Sequence, residues 1–149
     1  MGWKIKSFDE LSLSELYQIL QIRVSVFVVE QDCPYQEVDG VDQACQHLFL
    51  EKDGQIAAYA RLIPQDVLYE DVSIGRILVH KDYRKAGYGH ELLAKAIEII
   101  SNEWDVEKIK IHAQVYLLDF YRSFGFVEVT EHYLEDGIPH VDMIREKTH

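Results

Sequence analysis

Val72-Ser73-Ile74-Gly75-Arg76-Ile77-Leu78-Val79-His80-Lys81-Asp82-Tyr83-Arg84-Lys85-Ala86-Gly87-Tyr88-Gly89 is the stretch whose reading decides the fold. Val72 to His80 has the composition of a strand, and beyond Gly89 the residues Leu92, Leu93, Ala96, Ile97 and Ile100 fall on one face of a helix. Strand, glycine loop and helix therefore follow one another. A helix N-terminus leaves up to four N–H groups unpaired and carries about half a positive charge, so a preceding loop whose glycines permit close approach is an anion cradle. Arg84-x-x-Gly87-x-Gly89 is such a loop. It lacks the third glycine of a dinucleotide fingerprint and the Gly-Lys-Ser/Thr of a P-loop, which makes NAD and ATP poorer fits.

Charge sharpens the reading. From Arg76 to Lys95 there are five basic residues (Arg76, Lys81, Arg84, Lys85, Lys95) and two acidic ones (Asp82, Glu91), a local +3 in a chain whose 15 basic and 26 acidic residues sum to −11. A small polyphosphate ligand accounts for this contrast. The plainer alternative is a loop that only turns a strand into a helix with solvated lysines around it. The global −11 would repel phosphate backbones and anionic lipid, so neither nucleic acid nor a membrane surface is an expected partner.

Working outward, Ser12-Leu13-Ser14-Glu15 has the spacing of a capping box, followed by Leu13, Leu16, Leu20, Val24 and Phe27 at helical intervals. Gln31 to Gly40 is polar and turn-rich, too long for a tight connection and of the kind that often carries function. Leu48 to Lys52, Asp53-Gly54 and Ile56 to Ile63 read as a hairpin, because Asp-Gly accommodates the positive φ angles of a two-residue turn. Further on, Ile109 to Ile111 is expected as a short strand and Tyr116 to Phe124 as a short helix. Val127 to Tyr133 and Val141 to Ile144 are expected as strands, with a turn over Glu135 to Pro139 between them.

The expectation is an α/β (α+β) domain spanning 1–149, with about six or seven strands and three helices. At 149 residues and 48% hydrophobic the chain has the length and composition of one globular domain. No apolar run reaches the roughly 18 residues of a membrane span, and charges stand where a secretory signal needs its apolar core, so a cytoplasmic location is expected. Cys33, Cys45 and nearby His47 lack the paired spacing of zinc sites, and two reduced thiols without a metal are expected.

Arg84-x-x-Gly87-x-Gly89 resembles the Arg/Gln-x-x-Gly-x-Gly/Ala signature of the GNAT superfamily of acyl-CoA-dependent N-acetyltransferases. The Phe-Tyr-x-x-x-Gly-Phe segment Phe120-Tyr121-Arg122-Ser123-Phe124-Gly125-Phe126 is similar to a later element of the same superfamily. Val26 to Tyr35, Glu37-Val38-Asp39-Gly40 and Glu135 to His140 resemble its ElaA-type branch. This resemblance implies a mixed, twisted sheet flanked by helices and splayed between strands 4 and 5. It implies acetyl-CoA as acyl donor, with the main chain of Ile77, Leu78 and Val79 beside the pantetheine arm. Arg84, Lys85, Ala86, Gly87, Tyr88, Gly89 and His90 would surround the pyrophosphate. Gln114 stands where many members have Asn, and Leu117 where many have Ala.

Acyl transfer to an amine needs a neutral nucleophile, a polarised thioester carbonyl and a proton for the departing thiolate. Tyr121 matches the superfamily's general acid, a phenol whose ordinary pKa of about 10 keeps it protonated at neutral pH; its plainer reading is a core tyrosine. The N–H of Val79 matches the usual polariser. No carboxylate occupies Val72 to Arg76, where some members carry their base, which leaves Glu30, Glu37, Asp39, His47 and His140, or a water chain between them, as candidates, with Glu30 and His140 put forward as catalytic. Arg23, Tyr35, Glu37, His47, Arg61 and Arg76 are the candidate acceptor-side residues. The arginines lie on otherwise apolar elements and each needs an anion, from a carboxylate of the chain or from the acceptor.

The function implied is acetyl transfer from acetyl-CoA to a primary amine, on a small molecule or a protein, by direct attack in a ternary complex. The alternative is a non-catalytic acyl-CoA sensor or partner module, and a C-terminal strand at a sheet edge would offer a homodimer surface.

Overall fold

The computed structural model describes residues 2–33 and 36–146. Strands β1 (Trp3–Ser7), β2 (Gln46–Lys52), β3 (Gln55–Ile63) and β4 (Ser73–Val79) form an antiparallel sheet in the order β1-β2-β3-β4. The β2–β3 turn uses Asp53 and Gly54 at φ 55° and 77°, the left-handed pair that a tight hairpin requires. β1 was not among the expected strands; it pairs with β2 and lays Trp3 and Ile5 against the core.

Side chains alternate across this sheet, so its two faces bury different partners. Leu48, Leu50, Ala58, Ala60 and Leu62 pack with Leu92, Leu93, Ala96 and Ile97 of α2 (Tyr88–Glu98). Phe49, Tyr59 and Leu78 face the other way, onto Ile19 of helix α1 (Leu13–Arg23) and Val26 just beyond it. α1 begins at the expected capping box: the Ser12 hydroxyl accepts from the Glu15 N–H and the Glu15 carboxylate accepts from the Ser12 N–H. The helix runs on with π winding over Val24–Glu30, a geometry that recurs at functional sites.

The second sheet holds β5 (Lys108–Gln114), β6 (Val127–Glu128), β7 (Tyr133–Glu135) and β8 (Ile138–Glu146). The short helix α3 (Leu118–Arg122) lies between β5 and β6. The single strand expected over Val127 to Tyr133 is two. Between them the Thr130 hydroxyl, in place of a main-chain carbonyl, accepts from the Asp142 N–H, so the chain leaves the ladder and returns. β8 is longer than expected, and β5 lies on one side of it with β6 and β7 on the other. The C-terminal strand is therefore not a sheet edge, and the dimer surface expected there is covered.

Among the described residues the two sheets join at one bridge. Val72 and Ile109 form a parallel bridge in which the Lys110 N–H donates to the Val72 carbonyl at 3.0 Å. Past it, among the described residues, β4 pairs with β3 alone and β5 with β8 alone. The strands diverge. No helix among the described residues is long and apolar enough to cross a membrane.

Candidate active site

The divergence of β4 from β5 opens a cavity of about 850 Å³, walled by both strands, the end of the α1 segment, α3 and the β7–β8 hairpin. Main-chain direction alternates along a strand, and the His80 N–H donates to Ala57 of β3 at 2.8 Å. The N–H groups of Ile77 and Val79 consequently face away from β3, toward the cleft. A β-bulge takes in the first of them: the β3–β4 register passes from Tyr59↔Leu78 to Arg61↔Gly75, so Arg76 and Ile77 together oppose Ala60. Arg76 adopts φ 52°, a left-handed conformation uncommon for a residue with a side chain.

At one end of the cleft lies the glycine loop. Gly87, at φ 82°, is the N-cap of α2, and the first helical bond runs from the Glu91 N–H to the Gly87 carbonyl. The N–H groups of Tyr88, Gly89 and His90 precede it and have no acceptor within the helix. A Cβ on Gly89 would stand 3.7 Å from Val79 Cγ2 and 4.0 Å from Phe120 Cζ, both on cavity-wall residues. Arg84 donates from Nε to the Val79 carbonyl at 3.0 Å and forms an ion pair from Nη2 to Glu30 at 2.9 Å. Glu30 is thereby tied to the glycine-loop end of the cleft. Arg84 and Gly89 are on the wall, whereas Lys85, Ala86, Gly87, Tyr88 and His90 form the loop around it.

Ile77, Leu78, Val79, Gln114 and Tyr121 also line the cavity. Tyr121 is 5% exposed, its ring packed edge-on against Phe120 and Phe126. Burial, with the nearby Tyr116 as a lesser cause, pushes its phenol well above the ordinary range, so it stays protonated.

The arginines find their anions within the chain. Arg23, fully buried, pairs with Glu37 through Nε and with Asp42 through Nη1, both at 2.7 Å. Arg61 pairs with Asp39 and Asp42 at 3.0 Å, and Arg76 with Glu37 at 2.7 Å. Three carboxylates from the 37–42 segment thus knit α1, β3 and β4 together. Burial pushes the Asp39 carboxyl up, but the Arg61 guanidinium outweighs this and holds it below the ordinary range.

His47 lies in the same layer. A carbonyl can only accept, so Nε2 donates to Asp42 O at 3.0 Å and Nδ1 accepts from the Tyr59 hydroxyl at 2.6 Å. Burial lowers its pKa and it stays neutral. Among the acceptor-side candidates, Arg61 and Arg76 reach the cavity wall, whereas Arg23, Glu37 and His47 stand behind it, fixed by these partners. Tyr35 lies outside the described residues.

His140 is on the wall, opposite Gln114 in register; its Nδ1 donates to Ile138 O at 2.7 Å and its Nε2 lies 3.6 Å from Glu135. The sequence reading missed His112, Tyr69, Glu135 and Asp136, which share this end of the cavity. Alternation along β5 was the available signal: Ile111 and Ala113 are buried in the core, and His112 and Gln114 take the opposite face.

Comparison with known proteins finds relatives over nearly the whole chain. The family described as an acetyltransferase (GNAT) domain matches residues 15–147. Protein ElaA of Escherichia coli is 44% identical over 146 residues, covering 97% of this chain and 95% of that protein. The crystal structure of Escherichia coli ElaA superposes with a TM-score of 0.91 at 43% identity, over 97% of this chain and 99% of that one. An acyl-CoA N-acyltransferase from Pseudomonas aeruginosa superposes with a TM-score of 0.92 at 44% identity, with the same coverage. The fold is the mixed α/β arrangement of these proteins.

Proposed function

The chain belongs to the GNAT acetyltransferase family and is an acyltransferase, and from that premise we propose that it moves an acetyl group from acetyl-CoA to a primary amine by direct attack, with both substrates bound at once. One observation carries the reading: the cleft-facing N–H groups of Ile77 and Val79 and the N-terminus of α2 meet along one cavity. The open β4 edge offers the pattern of a missing strand, which suits an amide-bearing arm. The α2 N–H groups and Arg84 suit a diphosphate, and the bare Gly89 leaves them approachable.

Acetyl-CoA supplies an activated thioester. In this reading the Val79 N–H polarises its carbonyl oxygen, the work of an oxyanion-hole donor. Tyr121 holds a proton toward the sulfur. Its raised pKa makes it a reluctant acid, so it acts first as a hydrogen-bond donor to the charge developing there and releases the proton as the C–S bond breaks. Gln114, on β5, supports the arm from the opposite wall. Neither cysteine is an acyl carrier in this scheme: burial pushes the Cys45 thiol up to about 11, and Cys33 is raised by burial as well.

At the acceptor end the arginines of the wall are neutralised by the 37–42 carboxylates, and Glu135 and Asp136 add negative charge. That balance favours a cationic acceptor such as an ammonium group. The test is calorimetry with CoA followed by thiol release from acetyl-CoA against a panel of small primary amines and lysine peptides. Binding with amine-dependent release is expected. Binding without transfer to any amine would instead make the protein an acyl-CoA sensor.

A further inference from the structure

Most groups named so far have no lone pair free for the ammonium proton. Glu30 is held by Arg84, Glu37 and Asp39 by arginines, and the lone pair of His47 by Tyr59. The Nε2 of His140 is bare, 3.6 Å from the Glu135 carboxylate, but its Nδ1 is backed only by the Ile138 carbonyl.

His112 differs. It lies on β5 directly opposite Asp142 of β8, and its Nδ1 is 2.8 Å from Asp142 Oδ1 and 3.1 Å from the Tyr133 hydroxyl of β7. The Tyr133 hydroxyl spends its single hydrogen on Asp142, a carboxylate that only accepts. The phenol oxygen can then only accept from His112, so Nδ1 carries the proton and Nε2 carries the lone pair. Nε2 is buried without a hydrogen-bond partner, and the residue lines the cavity. An orphaned buried nitrogen is costly, and such groups are retained where they work.

We infer that His112 is the catalytic base of the transfer, its Nε2 taking a proton from the incoming ammonium, with Tyr133 and Asp142 as the positioning residues that keep Nε2 bare. The inference rests on the acyl-transfer reading. The ammonium's first proton passes to Nε2 and from there to water. The nitrogen lone pair forms the C–N bond to the thioester carbon and the C–S bond breaks. The nitrogen's second proton replaces the one Tyr121 gives to the sulfur, so the products are an amide, a free thiol and one released proton. The imidazolium formed at His112 is stabilised by the Asp142 carboxylate beside Nδ1, as in carboxylate–histidine pairs generally.

The groups around the ring come from four segments. Asp142 and, through it, Lys110 at 3.7 Å face it from β8 and β5. Tyr133 faces it from β7, and the Tyr69 ring of the β3–β4 connection lies tilted against it at 4.3 Å between centroids.

The test has a spectroscopic arm and a kinetic arm. Long-range 1H–15N correlation of the wild-type imidazoles is expected to show His112 as the Nδ1–H tautomer and Asp142→Asn, whose amide can turn a donor toward Nδ1, to blur that preference; a proton on Nε2 overturns the assignment. With phenethylamine and Nα-acetyl-lysine amide as probes, His112→Gln is expected to lower kcat about 100-fold, leave CoA affinity within twofold, and recover part of the rate with added imidazole. Wild-type rates in His112→Gln, or imidazole rescue of His140→Gln but not of His112→Gln, overturn it too. If the wild type binds CoA yet acylates no amine, the acyl-transfer reading itself falls and takes this assignment with it.

Discussion

Val72 and Ile109 are bridged where β4 meets β5, and from that contact the two strands part. The cleft is therefore hinged at one end, with core packing behind it: Val72 and Ile109 are 3% and 1% exposed, which leaves the opening nowhere to collapse. Divergence of two neighbouring strands leaves main-chain groups without sheet partners, a cost that a strand-like ligand offsets.

Filling the cleft from the protein side gives a direct prediction. Gly89→Leu places a side chain between Val79 and Phe120, where a Cβ alone already makes van der Waals contact. CoA affinity is expected to fall at least tenfold by calorimetry while the melting temperature changes by only a few degrees. Undiminished binding would mean that the ligand does not pass this point.

Tyr121→Phe keeps the ring packing against Phe120 and Phe126 and removes only the proton donor. Loss of a positioned acid costs about 100-fold in kcat, with the KM for acetyl-CoA nearly unchanged. Steady-state kinetics on the best amine will decide it; an unaltered kcat assigns Tyr121 to packing.

Much of this site was legible in the chain because local chemistry dictates it. Arg84-x-x-Gly87-x-Gly89 announced a turn into a helix, and Gly87 does adopt the left-handed conformation at the N-cap. Asp53-Gly54 and Asp136-Gly137 announced hairpins, and all four residues have positive φ. Partners set by long-range register were not legible. Burial of Arg23, Arg61 and Arg76 required anions, but nothing local says that Glu37, Asp39 and Asp42 supply them. The strand expected over Ile109 to Ile111 stopped one residue short of His112, whose meaning comes from Asp142, thirty positions away on β8. β1 was not legible because what makes it a strand is its pairing with the distant β2.

The arginine network predicts a stability effect. Arg23→Ala leaves Glu37 and Asp42, with side chains 2% and 6% exposed, short of a buried partner. Removing one member of a buried pair costs about 3–5 kcal/mol, measurable by urea denaturation. Adding Glu37→Gln and Asp42→Asn is expected to recover part of the loss. A change below about 1 kcal/mol would show that the charges behave as a surface pair does.

Glu15 gives a pH signature. Burial pushes its carboxyl up, but the Ser12 N–H together with Lys6 and Lys4 outweigh it and lower the pKa from 4.5 to about 2. A pKa depressed by folding means stability that is complete above the unfolded value and drains as pH falls through the folded one. Wild type is expected to exceed Glu15→Gln by about 2 kcal/mol at neutral pH. The gap narrows between pH 4.5 and about 2. A gap that stays constant across that range contradicts the assignment.

The central claim is tested most directly by amide 1H–15N spectra of the protein titrated with CoA. The account predicts that the largest shifts fall on Ile77, Val79, Tyr88, Gly89 and His90, the N–H groups that face the cleft or precede the first bond of α2. Shifts confined to other surfaces, or none at saturating CoA, would contradict it.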